Sequence, residues 1–124
     1  MDIQRRQVSS QWQYHSIQGQ LTNALASVLT VASGGAQIIV DSIVFTNITG
    51  GADSYSGRFI KSGAVVSSAR DFATTEALAA NASLTYPFST PNGGGLAVDP
   101  GDAIWLKAGS NSTVNYIINY RTEN

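Results

Sequence analysis

The chain contains no cysteine, which excludes disulfides, thiolate metal sites and Cys nucleophiles and leaves the redox compartment unmarked. Its single histidine, His15, lies among Gln and Ser near the N-terminus rather than beside acidic side chains. Any Ser-His-Asp triad or His-based metal site would rest on that one residue, so an enzyme is not expected. Charge is also scarce: Asp, Glu, Lys and Arg make up 12% of the residues and the formal net charge is −1. That is about half of the ~25% charged residues of an ordinary soluble domain. The 7 Lys and Arg residues are scattered and form no basic footprint, so neither nucleic acid nor a membrane is expected as a partner. No run approaches the ~20 apolar residues of a membrane span, and no signal-like apolar run follows Arg5 and Arg6. The expectation is a protein made and kept soluble in a cytoplasm, without a standard secretory signal.

What is present is a chain of 124 residues, the size of one domain, whose surface must be largely neutral Ser, Thr, Asn, Gln and Gly. Such a surface suits protein contact. Residues 1–20 differ from the rest, because Gln4, Gln7, Gln11, Gln13, Gln18 and Gln20 are interleaved with Val8, Trp12, Tyr14 and Ile17. They read as an extended N-terminal arm preceding a β-sandwich domain at 21–124. A polar segment of this kind cannot form its own core, yet its aromatics are poorly placed in water. The arm therefore docks, either on its own sandwich as a first edge strand or on a neighbouring subunit.

From Leu21 onward, short apolar runs alternate with turn residues, which predicts an all-β fold: an antiparallel, jelly-roll-like β-sandwich of about eight strands. The expected strands are 26–32, 37–48, 54–61, 65–72, 74–78, 84–88, 96–98, 103–108 and 113–121, with 54–61 and 65–72 joined as a hairpin through Ser62-Gly63. A competing reading places a short helix within 71–81, where Glu76-Ala77-Leu78-Ala79-Ala80 are good helix formers; strand and turn are preferred because Thr74 and Thr75 favour extended backbone. The last strand alternates most clearly, with Val114, Tyr116, Ile118 and Tyr120 on one face and Asn115, Ile117, Asn119 and Arg121 on the other. In 37–48 both faces look apolar: Ile38, Val40 and Val44 on one, Ile39, Ile43 and Phe45 on the other. A two-layer sandwich covers one face of a strand, so the second needs the arm, a loop or another subunit.

Chemistry-bearing motifs are weak. Asp99 and Asp102 flank a Pro-Gly turn and resemble turn-corner residues more than a calcium loop, which offers oxygen ligands at alternating positions. Gly93-Gly94-Gly95 lacks the Lys-Ser or Lys-Thr of a phosphate loop. Three Asn-X-Ser/Thr matches, at Asn47, Asn81 and Asn111, read as chance in a chain rich in these residues. No metal or cofactor is expected. Trp105 alternates with Ile104 and Leu106, which places it on an outer face able to meet a protein partner or a glycan.

The order Ile43-Val44-Phe45-Thr46-Asn47, a Gly-bearing hairpin, the segment 96–108 with its Pro100-Gly101-Asp102 turn, and an alternating last strand resembles small β-sandwich virion proteins of tailed bacteriophages. The similarity spans residues 36–121. It implies a non-enzymatic virion component, with no catalytic residue to carry over. On that resemblance the expected role is a capsid decoration (cement) protein that bridges capsomers, a homo-oligomer with a trimer favoured, its partner the major capsid protein or another virion protein. A neck, tail or fibre-associated ring component and a carbohydrate-binding module remain alternatives. Trp12, Tyr14, Ile17, Ile39, Ile43, Phe45 and Trp105 are the expected interface residues. Removing residues 1–20 is expected to leave a folded domain that assembles less well.

Overall fold

Strict alternation along one strand organises the molecule. In Val114–Glu123 the residues Val114 and Ile118 are fully buried while Asn115, Ile117 and Asn119 stand on the opposite side, half-buried. The computed structural model describes residues 12–88 and 94–123. In chain order its strands are β1 (Trp12–Gln20), β2 (Ala26–Thr30), β3 (Ile38–Asn47), β4 (Asp53–Ile60), β5 (Asp71–Leu78), β6 (Ser83–Pro87), β7 (Leu96–Val98), β8 (Ala103–Ala108) and β9 (Val114–Glu123). One sheet runs β1-β9-β3-β6, with β7 also paired to β3; the other runs β2-β8-β4-β5. All pairings are antiparallel. Partners are nested, β1 with β9, β2 with β8, β3 with β6 and β4 with β5, which is the wrapping of a jelly roll. Among the described residues the chain is thus an all-β sandwich of nine strands.

Between the sheets lie Val40, Ile43, Phe45, Val98, Ile104, Val114 and Ile118, all without solvent exposure. The Phe45 ring stacks on Tyr55 with centroids 3.9 Å apart, joining β3 to β4 across the layers. Burying a side chain of this size contributes about 1.5–3 kcal/mol, so this row is a main source of cohesion. Phe72, Tyr86 and Phe88 pack with centroids 5.0–5.2 Å apart at the margin of the core. The Tyr86 hydroxyl donates to the Phe72 carbonyl at 2.9 Å, binding β6 of one sheet to β5 of the other.

Two expectations are corrected. The two faces of β3 are not as the simple alternation assigned them: its ladder with β9 slips between Val40 and Ser42. That bulge resets the phase, so Ile38 and Val40 before it and Ile43, Phe45 and Asn47 after it all point inward, while Ile39 and Val44 are only half-buried. Next, 65–72 is not the second strand of a hairpin. Val65 is 74% exposed in a loop, the chain makes a 3-10 turn at Ser68–Arg70, and the strand begins at Asp71, held by an ion pair with Arg58 at 2.7 Å. From there β5 continues unbroken to Leu78, so no helix forms within it; Thr75, at φ 47, donates its N–H to Ser56 Oγ. Of the two placements open for the arm, residues 12–20 take the first: they are an edge strand of the chain's own sheet, paired with β9 over their whole length. Residues 1–11 and most of the glycine loop at 91–95 lie outside the described residues.

Candidate interaction surface

The outer face of the five-stranded sheet is built by register. Ladder partners place Gln18, Ile117, Val44 and Thr85 in one rung across β1, β9, β3 and β6. The rung on one side is Gln20, Asn115, Thr46 and Ser83; on the other it is Ser16, Asn119, Ser42 and Pro87. None of these side chains is charged. Within the rungs they bond to one another: Gln20 Nε2 donates to Asn115 Oδ1 at 3.1 Å, Asn119 Nδ2 to Ser42 Oγ at 3.2 Å, and the Thr46 and Ser83 hydroxyls are hydrogen-bonded at 2.8 Å. A shallow groove of about 410 Å³ opens among Gln18, Gly19, Thr46, Asn115, Tyr116 and Ile117. Gly19 is required beside it, because a Cβ there would sit 2.8 Å from the Tyr116 hydroxyl; the ring covers the space a side chain would fill. Burial raises the Tyr116 phenol above its ordinary value, so the groove stays neutral at physiological pH.

Charge appears at one end of this face. Arg121 pairs with Asp41 at 3.0 Å, donates to the Gly94 carbonyl at 2.7 Å, and lies 4.6 Å from the Trp12 ring centroid. That cation–π contact holds Trp12, 38% exposed, against β9, while Tyr14 stands 74% exposed beside it. Neutral hydrogen-bonding groups and half-covered aliphatics form a surface that loses water at modest cost when a complementary protein face arrives.

The other sequence candidates fall elsewhere. Ile43 and Phe45 have no exposed surface and belong to the core, which removes them as interface residues on the folded chain. Ile17 is half-buried against that core, and Ile39 sits half-buried on the outer face opposite Arg121. Trp105 is half-buried on the outer side of the second sheet, paired with Ser27 and Arg58 and so remote from the uncharged face. His15 stacks on Tyr120 at 5.1 Å, with Nε2 3.1 Å from Thr122 Oγ1.

Asp99 and Asp102 serve the turn. The buried Asp102 accepts from Ser62 N at 2.8 Å, Asp99 N at 3.0 Å and Lys61 Nζ at 2.6 Å; Asp99 accepts from Gln37 Nε2 at 2.6 Å and Lys61 at 3.3 Å. Burial pushes the Asp102 carboxyl upward, but the bonds from Lys61, Ser62 and Asp99 outweigh it and hold the group below its ordinary value. Asp99 is lowered as well, chiefly by Gln37 and then Lys61, and Lys61 is raised, chiefly by Asp102. No group of three or more His, Cys, Asp or Glu side chains among the described residues could hold a metal ion. Among those residues, no helix is long and apolar enough to cross a membrane.

Sequence reasoning missed Asn47, which is fully buried. Its Nδ2 donates to the carbonyls of Gly51 at 2.8 Å and Leu78 at 3.1 Å, and its Oδ1 accepts from Thr49 N at 2.9 Å and Thr49 Oγ1 at 2.7 Å. An Asn closing an apolar strand before Thr49-Gly50-Gly51 is the pattern of a side chain that builds its own turn. The uncharged face was also missed, since each of its residues is ordinary until strand register aligns them.

No protein-family model matches the chain, and no curated protein matches it. Among solved structures, a chain of the T13 IBDV viral particle is similar with a TM-score of 0.49 at 7% identity, covering 91% of this chain and 31% of that one. This chain therefore spans about a third of the length of that chain. A chain of the Bacillus endospore appendages, described as a novel family of disulfide-linked pili, is similar with a TM-score of 0.46 at 10% identity, covering 90% of this chain and 86% of that one.

Proposed function

We propose that this protein is a non-enzymatic structural component of a virion, a capsid decoration (cement) protein of a tailed bacteriophage that lies against the major capsid protein. One observation carries the assembly role: the outer face of the β1-β9-β3-β6 sheet is uncharged across three consecutive rungs, from Ser16, Gln18 and Gln20 to Ser83 and Thr85. A face meant only for water ordinarily carries Lys and Glu on its outward positions. Here those positions hold amides, hydroxyls and the half-covered Ile117 and Val44, a composition that a protein partner can cover without stranding a charge. The resemblance of residues 36–121 to phage β-sandwich virion proteins, which serve as head decoration or as neck, tail and fibre components, supports a place in a phage particle.

The test is a double substitution, Ile117→Lys with Thr46→Glu, in the intact phage genome. Both positions are half-buried on the outer face, so the sandwich folds while the face gains charge. The expected result is particles that form but lack this chain, as read by mass spectrometry of purified heads, and that lose DNA more readily on heating. Normal incorporation of the folded variant would remove the role assigned to this face. Incorporation in neck or tail fractions, with none on heads, would transfer the role to a ring component.

A further inference from the structure

We infer that the free edge of β1 is a strand-pairing site for the β1 of a second copy of this chain, arranged antiparallel about a two-fold axis at Ser16. This rests on the assembly reading above and adds the partner and the register. β1 is the terminal strand of its sheet, and no described strand lies beyond it. Its nine residues pair with β9 without a register shift, so no bulge bends the edge away. Edge strands normally protect themselves with proline, lysine, an inward charge or a bulge. Trp12-Gln13-Tyr14-His15-Ser16-Ile17-Gln18-Gly19-Gln20 has none of these.

The ladder shows which groups are on offer. Leu21 N donates to Val114 O at 2.8 Å, extending the β1–β9 register by one residue. Hydrogen bonding to a neighbour alternates along an antiparallel strand, so the odd-numbered residues of β1 bond to β9 and the even-numbered ones aim N–H and C=O outward. Trp12, Tyr14, Ser16, Gln18 and Gln20 form that outward row; all five side chains lie on the outer face, with Ser16, Gln18 and Gln20 in its uncharged rungs and Tyr14 beside Arg121.

A second copy fits this edge better than a strand of arbitrary sequence. The register that pairs all nine residues sets Ser16 opposite its own mate, Tyr14 opposite Gln18 and Trp12 opposite Gln20. It brings no two charged side chains together, and the imidazole of His15 falls opposite Ile17. About ten backbone hydrogen bonds result. The exposed Tyr14 and Trp12 gain the amide side chains of the mate as neighbours. The outer faces of the two sheets become continuous through the shared Ser16 rung, which carries no charge on either copy. Such a contact is isologous and closes at two chains, in place of the trimer expected from the sequence.

Light scattering on eluting protein across the micromolar range, with Ser16→Pro and two cysteine variants, tests this. Proline at Ser16 removes one outward N–H and leaves the β9 ladder intact. The expected outcome is twice the chain mass for wild type and a single chain mass for Ser16→Pro, with circular dichroism and melting temperature retained. The protein has no cysteine, so Ser16→Cys supplies the only thiol. In the dimer the two copies lie about 5.5 Å apart at Cα, within disulfide range, so mild oxidation cross-links them. Ser83→Cys, on the far edge of the sheet, stays uncross-linked. A wild-type monomer at every concentration, a folded Ser16→Pro dimer, or failure of Ser16→Cys to cross-link each overturns the inference. Should Ser16→Pro fail to fold, the cysteine pair alone decides. A chain that is monomeric in solution yet abundant in purified heads would overturn this contact and leave the decoration role standing.

Discussion

Replacing Asn47 with alanine removes four hydrogen bonds from a side chain that has no solvent exposure. The Leu78 carbonyl it satisfies is buried, and a buried polar group left unpaired costs about 1–3 kcal/mol. Gly51 is exposed, so water replaces that bond; Thr49 N and Oγ1 lie between these extremes. The sum is a loss of about 2–4 kcal/mol, a large part of the ~5–15 kcal/mol of a typical domain, and a drop of roughly 10 °C in melting temperature. Asn47→Asp sharpens the test without changing shape. Its second oxygen would face the Gly51 and Leu78 carbonyls at the distances now spanned by donors, which disfavours ionisation and raises the folded pKa above the unfolded value of about 3.9. A group raised on folding contributes its stability below the unfolded pKa and loses it as pH rises through the folded pKa. Relative to wild type at each pH, the aspartate variant is therefore worst near neutrality and recovers towards about pH 3. Urea unfolding at the two pH values measures this. A loss under about 0.5 kcal/mol for alanine, or an aspartate penalty that does not change with pH, refutes the role given to Asn47.

Phe45→Ala is expected to cost about 3–5 kcal/mol of folding stability, by urea titration, because the ring sits in the core against Tyr55. The lowered carboxyls of Asp99 and Asp102 supply stability present above their unfolded pKa and lost as pH falls through the depressed values; Asp102→Asn should flatten that acid limb, read as melting temperature against pH. Removing residues 1–20 is now expected to destabilise the fold itself, since it strips a nine-residue strand from β9 and uncovers the inner side beside Ile118; a melting temperature equal to that of the full chain would contradict the edge-strand placement.

Regular alternation made β8 and β9 legible, and the Pro100-Gly101 turn between β7 and β8 was readable because Gly101 takes φ 89. β3 was misread where it departs from period two: Asp41-Ser42, two adjacent polar residues inside an apolar run, mark the bulge that turns both apolar halves inward. Val65 and Val66 have strand propensity but no inner face to occupy, so propensity lost to packing there. The candidate surface was illegible for a different reason. Gln18, Asn115, Thr46 and Ser83 are far apart in sequence, and only the ladder registers of β1, β9, β3 and β6 place them side by side.

The most direct measurement is a cryo-electron microscopy map of the phage particle proposed to carry this chain. The expected map has a neighbouring protein seated over the rung formed by Gln18, Ile117 and Val44, with that face dry. A chain attached by other surfaces, its uncharged sheet open to solvent on every copy, would contradict the role assigned to it.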